Sequence, residues 1–440
     1  MSLMPDRKLV IIAALILIAT NFMAFIPYTR GDGESNPFVS SPGKIKSYWS
    51  ITWGGGGDDV ITDMDVVDGN IYVCGSTTSY GNKKAFLLKY DDNGNLIWNT
   101  TWSGKGEAEA NALMVSGNYI YVAGTTEKSS NKDVFISKYN LDGKKEWFKT
   151  WGGGGDDEGK DIYVYDNEIY VCGFTRSYGV LGSDILLLKF DMNGDLLSNK
   201  FWGKAGDEVG NGVVVTSEGV YVDGYTESYG VGGKDAIILG FGDTGNVKWL
   251  RTWGGEDDDE LVGMEYASPY LYMVGNTASY TPHALFLKYD EDGNMIFERR
   301  WGEEENDEAM DSAVYNDVTY IVGISRSYGK NGDVLLLKYD SDGMLSWSKI
   351  WGGSGEDAAT SVDVDNKRIY IAGYTESYGN GGKDALIIKT GLEGRKSLIV
   401  SGTFLTIEGK WIVVEGRKIF PLFNSFNNGK SLDVYRNGLL

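Results

Sequence analysis

The sequence predicts an all-β protein, a seven-bladed β-propeller, and three observations carry that reading. A tryptophan followed by a glycine-rich acidic turn returns seven times, at Trp53, Trp102, Trp151, Trp202, Trp253, Trp301 and Trp351, with spacings of 49, 49, 51, 51, 48 and 50 residues. Between these tryptophans, apolar runs of strand length alternate with Gly, Asn and Asp turns, and no helical 3.6-residue periodicity runs through them. The last repeat lacks its final strand, while an unassigned copy of that strand stands before the first. A period near 50 residues marks supersecondary units that bury their faces on one another, so the array folds as one body in spite of its length.

The first unit shows how each strand is read. Residues 60–67 form the innermost strand, and Asp68-Gly69-Asn70 gives a tight turn that favours the type I′ geometry of hairpins. Residues 71–75 run back, a longer loop at 76–84 carries Ser79-Tyr80-Gly81, and residues 85–90 form the third strand. Asp91-Asp92-Asn93-Gly94 turns the chain again into a fourth strand at 95–102, where Trp98 and Trp102, four apart, share one face. The unit is a four-stranded antiparallel meander of propeller-blade size, with both sheet faces covered by neighbours. A tryptophan buries about 150–250 Å², enough to dominate a blade interface. The Gly that follows it lets neighbouring backbones approach. In the seventh unit Thr390-Gly391-Leu392-Glu393-Gly394 replaces the expected turn and Trp strand, and residues 46–53 repeat the Trp spacing of residues 343–351. The N-terminal strand is therefore expected to complete blade seven and hide both sheet edges.

The phrases W-G-G-x-G-x-D, I-Y-V-x-G-x-T-x-S-Y-G and D-A-x-L-x-K-Y-D-x-x-G, over residues 46–394, resemble the SBBP β-propeller repeat of bacterial and archaeal envelope proteins. They match best between Trp151 and Asp191 and between Trp351 and Lys389. Blade two departs with Ser129-Ser130, and blade five with Ser279-Tyr280-Thr281. The resemblance implies a seven-bladed propeller in an exported protein and no specific reaction.

Outside the repeat, Arg7 and Lys8 precede an apolar run at 9–27 broken only by Thr20 and Asn21, so residues 1–30 read as a signal peptide or a signal-anchor helix. The run exceeds the roughly 7–15 residues of a secretory core and approaches the ~20 that span a bilayer. A positive flank on its N-terminal side places the body outside the cell, in the envelope, or secreted if the segment is cleaved. Residues 31–45 read as a flexible linker. Residues 395–440 form a β-rich tail in which the apolar runs 398–407 and 410–414 read as a hairpin, expected to pack on the propeller because a lone hairpin is marginal.

Composition excludes several functions. With 62 acidic and 41 basic residues the formal charge is −21, which repels phosphate backbones and removes nucleic acid from the candidate partners. Cys74 and Cys172 occupy equivalent places in different repeats, too far apart for a disulfide, and are read as buried free thiols. His283 is the sole histidine, at a place where other repeats are read as carrying Lys or Ser, which leaves no second histidine for a zinc site or a Ser/His/Asp triad.

In a propeller the loop entering each blade and the loop between its second and third strands open on one face around the channel. Here those loops carry two acidic series and one aromatic series. Six residues after each tryptophan stand Asp59, Ala108, Asp157, Glu208, Asp259, Asp307 and Asp357, of which the aspartates are read as locks on their own turns. One residue earlier stand Asp58, Glu107, Asp156, Asp207, Asp258, Asn306 and Glu356. Of these, Asp58, Asp156, Asp207, Asp258 and Glu356 are candidate binding residues for a cationic partner or Ca²⁺, since hard cations take oxygen ligands. Tyr80, Tyr178, Tyr229, Tyr280, Tyr328 and Tyr378 form the aromatic series, suited to glycan or protein surfaces or to packing on the next blade. Lys128, Arg176, Arg326 and His283 break the repeat and are candidates for specificity. Turns such as Asp340-Ser341-Asp342-Gly343 begin like calcium loops but lack the Glu at position twelve. The function expected is that of a monomeric, non-enzymatic envelope scaffold that binds protein or glycan and requires no cofactor. The alternatives are a Ca²⁺-dependent adhesin and a propeller hydrolase or lyase with its active site on the channel face.

Overall fold

The computed structural model describes residues 41–392, apart from 105, 129, 243–244, 280, 282, 304–305, 330 and 366–367, together with four strands between residues 396 and 421. Blade one consists of Asp59–Val67, Asn70–Thr77, Lys84–Tyr90 and Leu96–Trp102, paired antiparallel in that order. Its first turn has Asp68 and Gly69 at φ 51° and 74°, the pair of positive values that a type I′ turn needs. Five more blades repeat this order, with innermost strands Ala108–Ser116, Asp157–Tyr165, Glu208–Val215, Asp259–Ala267 and Glu308–Tyr315. Blade seven is built from Asp357–Asp365, Arg368–Thr375 and Asp384–Gly391, and its outermost strand is Ser47–Trp53 from the other end of the chain. Ser47–Trp53 pairs antiparallel from Thr390 to Ala385. Leu345–Trp351 has the same relation to Tyr339–Val334 in blade six. The ring is closed by two distant segments of the same sheet.

Two details of the flanks differ from the sequence reading. Gly43–Lys44, inside the expected linker, adds to blade six as a fifth, parallel strand against Lys349 and Ile350, and Ile45 is buried in the seam between blades six and seven. Beyond the ring, Lys396–Val400, Thr403–Glu408, Trp411–Val414 and Arg417–Pro421 pair as an antiparallel meander. The run read as one hairpin arm, 398–407, is thus split between two strands. The expected N-terminal helix lies outside the described residues, and among the described residues no helix is long and apolar enough to cross a membrane.

Seven apolar clusters sit one at each seam between adjacent blades. Between blades seven and one, Val73 and Phe86 meet Ala372 and Ile387, with Trp53 at the margin. The repeat tryptophans lie at these margins, partly buried except for Trp301, which is fully buried. Five outer strands carry an earlier tryptophan as well, and four of these reach farther. Trp49, Trp98, Trp147 and Trp249 each donate an indole N–H to a carbonyl in the last turn of the following blade, at 3.0 to 3.3 Å. Gly143, at φ 79°, lies under one of these rings, where a Cβ would stand 2.9 Å from Trp98. Both the positive φ and the ring require glycine.

Each innermost strand is bulged, pairing Ile61 and then Asp63 with successive partners and skipping Thr62, and the same break recurs in all seven blades. The bulge draws the second strand close. A Cβ on Gly173 would stand 1.9 Å from the Glu158 carbonyl oxygen, which explains the glycine of the V-x-G-x-T phrase. Gly154, on the loop face, has nothing within 4 Å of its Cβ position. Gly173→Ala is therefore expected to destabilise the protein by about 2 kcal/mol or more through displacement of backbone, whereas Gly154→Ala should change stability by under about 0.5 kcal/mol. Denaturant melts of the two variants check this directly.

Candidate functional site: the loop face and the central channel

On the loop face the acidic turn and the Ser-Tyr-Gly loop meet in every blade where both are described. Asp59 is fully buried and accepts hydrogen bonds from Gly55 N–H at 2.8 Å and the Ser79 hydroxyl at 2.6 Å. Asp157 does the same with Gly153 and Ser177 and adds the Thr175 hydroxyl. Asp357 repeats this set with Gly353, Ser377 and Thr375. Asp259 takes Gly255 and Ser279, and Asp307 takes Glu303 N–H with Ser325 and Ser327. Where a glycine follows the tryptophan, in every blade but the second, it leaves room for side chains of the turn and the neighbouring loop, mostly carboxylates. A Cβ on Gly54 would stand 2.4 Å from Asp59 Oδ2 and 2.7 Å from Asp384 Oδ1. Burial, and then the charge of Asp59, holds the Asp384 carboxyl above its ordinary range.

The preceding acidic series clips each blade to the one before it. Asp58, Asp156, Asp207 and Asp258 accept the backbone N–H of Lys383, Lys132, Ser183 and Lys234, each in the Ser-Tyr-Gly loop region of the preceding blade, at 2.7 to 3.1 Å. Glu356 takes the Tyr374 hydroxyl at 2.6 Å and Lys383 Nζ at 3.2 Å. The Tyr374 hydroxyl is the first cause holding its carboxyl below the ordinary range. Of the residues that break the repeat, Arg176 reaches Asp207, and Arg326 reaches Glu308 at 2.6 Å and Glu356 at 3.5 Å, so both are engaged at seams. His283 pairs with Thr277 at the place where blade one has Lys84, as the sequence reading expects of some repeats, while the other blades place Asp133, Asp184, Asp235, Asp333 and Asp384 there and none places Ser. Burial is the main cause lowering its pKa. The Lys128 side chain lies outside the described residues.

The tyrosines rest on the tryptophan that precedes their blade. Ring centroids are 6.3 Å apart for Tyr80 and Trp53, 5.3 Å for Tyr178 and Trp151, 4.9 Å for Tyr229 and Trp202, 5.7 Å for Tyr328 and Trp301, and 5.2 Å for Tyr378 and Trp351. Tyr280 lies outside the described residues, and in blade two Trp102 packs on Phe135 and Tyr139 in its seam. Tyr80, Tyr178 and Tyr378 are about half exposed. The most exposed apolar side chains of this face are ones the sequence reading passed over. In the loops of blades three and four, Val180 is 60%, Leu181 76% and Val231 64% exposed. Their signal was available: Val180-Leu181 and Val231 follow Ser-Tyr-Gly where blade seven carries Asn380 and blade one carries Asn82.

The channel is the second candidate site. The innermost strands enclose about 370 Å³ lined by Asp63, Asp65, Asp161, Glu265, Asp311 and Asp363, none of them nominated from sequence. Five of these reach across a seam to a backbone N–H of the next innermost strand. Asp63 accepts from Leu113, Asp65 from Val115, Asp161 from Val213, Asp311 from Val362 and Asp363 from Val66, at 2.7 to 2.8 Å. Donors from the bulge residues complement them: Thr62, Asn111, Asn211 and Thr360 give to carbonyls of the next blade at 2.6 to 2.7 Å. Burial pushes Asp63 and Asp363 up to about 6, Asp65 and Asp161 to about 7, and Glu265 and Asp311 to about 8, and neighbouring carboxylates add to the effect. Among the described residues, no three His, Cys, Asp or Glu side chains converge as a metal-ligand set.

The fold has counterparts among solved structures. The WD40 β-propeller domain of Doa1 aligns with a TM-score of 0.50 and 13% identity, covering 81% of this chain and 98% of that one. Sqt1 from Chaetomium thermophilum aligns at 0.44 and 11%, covering 82% and 96%. The β-propeller domain of the Trilobed protease from Pyrococcus furiosus aligns at 0.47 and 11%, covering 77% and 98%. At these identities the likeness concerns the fold alone. No protein-family description matches the chain, and no curated protein matches it.

The channel carboxyls make stability depend on pH with a defined sign. Their folded-state pKa values of about 6 to 8 lie above the model-compound values of 3.8 and 4.5, so the folded protein holds these protons more tightly. Their contribution is fully present below about pH 4 and is lost as pH rises through 6 to 8. Asp207 and Glu356, held below their ordinary range by the Ser183 N–H and the Tyr374 hydroxyl first, work in the opposite sense and lose their contribution as pH falls below about 4. The melting temperature is expected to peak between about pH 4 and 5 and to fall by several degrees by pH 8. Calorimetric melts across that range test it.

Proposed function

We propose that this chain is a non-enzymatic cell-envelope scaffold of the SBBP-repeat type, exported and held at the membrane by residues 9–27, which binds a partner through its loop face. The observation that carries the reading is the exposure of Val180, Leu181 and Val231 on the same loop of two adjacent blades. Apolar side chains held at loop tips by a rigid scaffold gain from being covered. The conserved-looking polar groups of the same face are already committed to turns and seams, which leaves contact to the residues that differ between blades. A WD40 propeller domain shares the fold, and propellers of this shape offer a broad, rigid face to other proteins.

A glycan ligand is the second reading, favoured by the exposed faces of Tyr80, Tyr178 and Tyr378, because a sugar ring stacks on an aromatic face. Pull-down from envelope extract by the full chain, run beside a glycan array, distinguishes the two. The variant Val180→Ser, Leu181→Ser, Val231→Ser is expected to keep its melting temperature within about 2 °C and to lose at least about tenfold in affinity for the captured partner. Unchanged capture by this variant would move the binding surface elsewhere. Repeating both assays with Ca²⁺ and with chelator tests the Ca²⁺-dependent adhesin, and fractionation with external protease tests the extracytoplasmic placement.

A further inference from the structure

The channel carboxylates are more than a consequence of ring closure. Glu265 of blade five faces the cavity without a hydrogen bond, within electrostatic reach of Asp311, Asp363, Asp161 and Asp65 across the ring. Asp223, on the second strand of blade four, is completely buried, and neither of its carboxylate oxygens has a hydrogen-bond partner. It points at Gly212 of the innermost strand. In blades one, three and six the tenth residue after the tryptophan is Asp63, Asp161 and Asp311, but in blades four and five it is Gly212 and Gly263, and a Cβ on Gly212 would stand 2.5 Å from Asp223 Oδ1. Asp223 does not itself line the cavity; it places a buried carboxyl directly behind Gly212, which does. Against these acids the lining offers one cation, Lys160, which is already bound to Glu158 at 2.9 Å.

We propose that the central channel binds a linear aliphatic polyamine, with its ammonium groups on the carboxylates of the ring and its methylene chain against the methionines between them. Three properties select this class. The carboxylates come from blades one, three, five, six and seven and do not converge in threes, so they suit several separated charges better than one point ion. The lining between them includes Met64, Met114, Met264 and Met310, on blades one, two, five and six, and methionine adapts to flexible methylene chains. The volume of about 370 Å³ lies in the range of small-ligand cavities, roughly 300–1,000 Å³. Each ammonium that enters favours the ionised form of its carboxylate, so binding expels protons.

The test is isothermal titration of the full chain with spermidine at constant ionic strength, at pH 5.5 and pH 8 and in two buffers of different ionisation enthalpy. The expected result is saturable binding that is at least about tenfold tighter at pH 8, with proton release at pH 7 seen as a buffer-dependent heat. Glu265→Gln, which removes a charge and breaks no hydrogen bond, should weaken binding at least about fivefold while the protein still melts cooperatively. Three results would overturn the proposal: absence of saturable binding by the folded protein, equal binding of Ca²⁺ or monovalent salt at the same ionic strength, or unchanged affinity in folded Glu265→Gln. In the last case the cation sits outside the channel.

Discussion

The innermost strand of each blade is a sheet edge, and a sheet edge turned toward a narrow channel must satisfy its backbone N–H and C=O groups with something other than another strand. This chain meets the requirement with side chains from the preceding blade. Carboxylates of Asp63, Asp65, Asp161, Asp311 and Asp363 accept amides, and Thr62, Asn111, Asn211 and Thr360 donate to carbonyls. Where the inner strand has no such residue, the second strand supplies one, as Asn276 does for Ala309 N–H at the seam between blades five and six. The acidity of the channel and its raised carboxyl pKa values follow largely from that need, with Glu265 the lining carboxylate that meets no amide.

The loop face follows the same logic from the other side. Two acidic residues per repeat, which by composition alone suggest a cation-binding rim, are absorbed by the turn and by the neighbouring blade's loop. The tyrosines are half absorbed, one ring face resting on a tryptophan. What remains free for contact is what the repeat does not specify, the loop tips of blades three and four. A rigid repeated frame and a few unrepeated residues on it divide the labour between stability and recognition.

Architecture was legible because it is written in spacing. The tryptophan period, the Asp-Gly and Asn-Gly turns and the missing strand of unit seven were enough to place twenty-eight strands and their closure by residues 47–53. The channel was not legible, for a physical reason. Asp63 and Asp161 sit inside apolar strands next to Ile61 and Ile162, and only the recurrent bulge, invisible in a period-two pattern, turns them toward the next blade. His283 was only partly legible: its counterpart in blade one is Lys84, but the loop before it is shorter than in blades three, four and seven, which hides that five blades place an aspartate there. The fifth strand at Gly43–Lys44 had no pattern to announce it, because two residues of glycine and lysine carry no periodicity.

The central claim is that cross-seam bonds make the seven blades one cooperative unit. Native-state hydrogen exchange of the amides of Val66, Leu113, Val115, Val213 and Val362 tests it most directly, because each is held by a carboxylate of the blade before it. The account predicts that all five exchange only through global unfolding, with one common free energy and one common denaturant slope. Exchange of any of them at a distinctly lower, blade-specific free energy would contradict it, and would mean that the blades open singly and that the seams do not hold the ring.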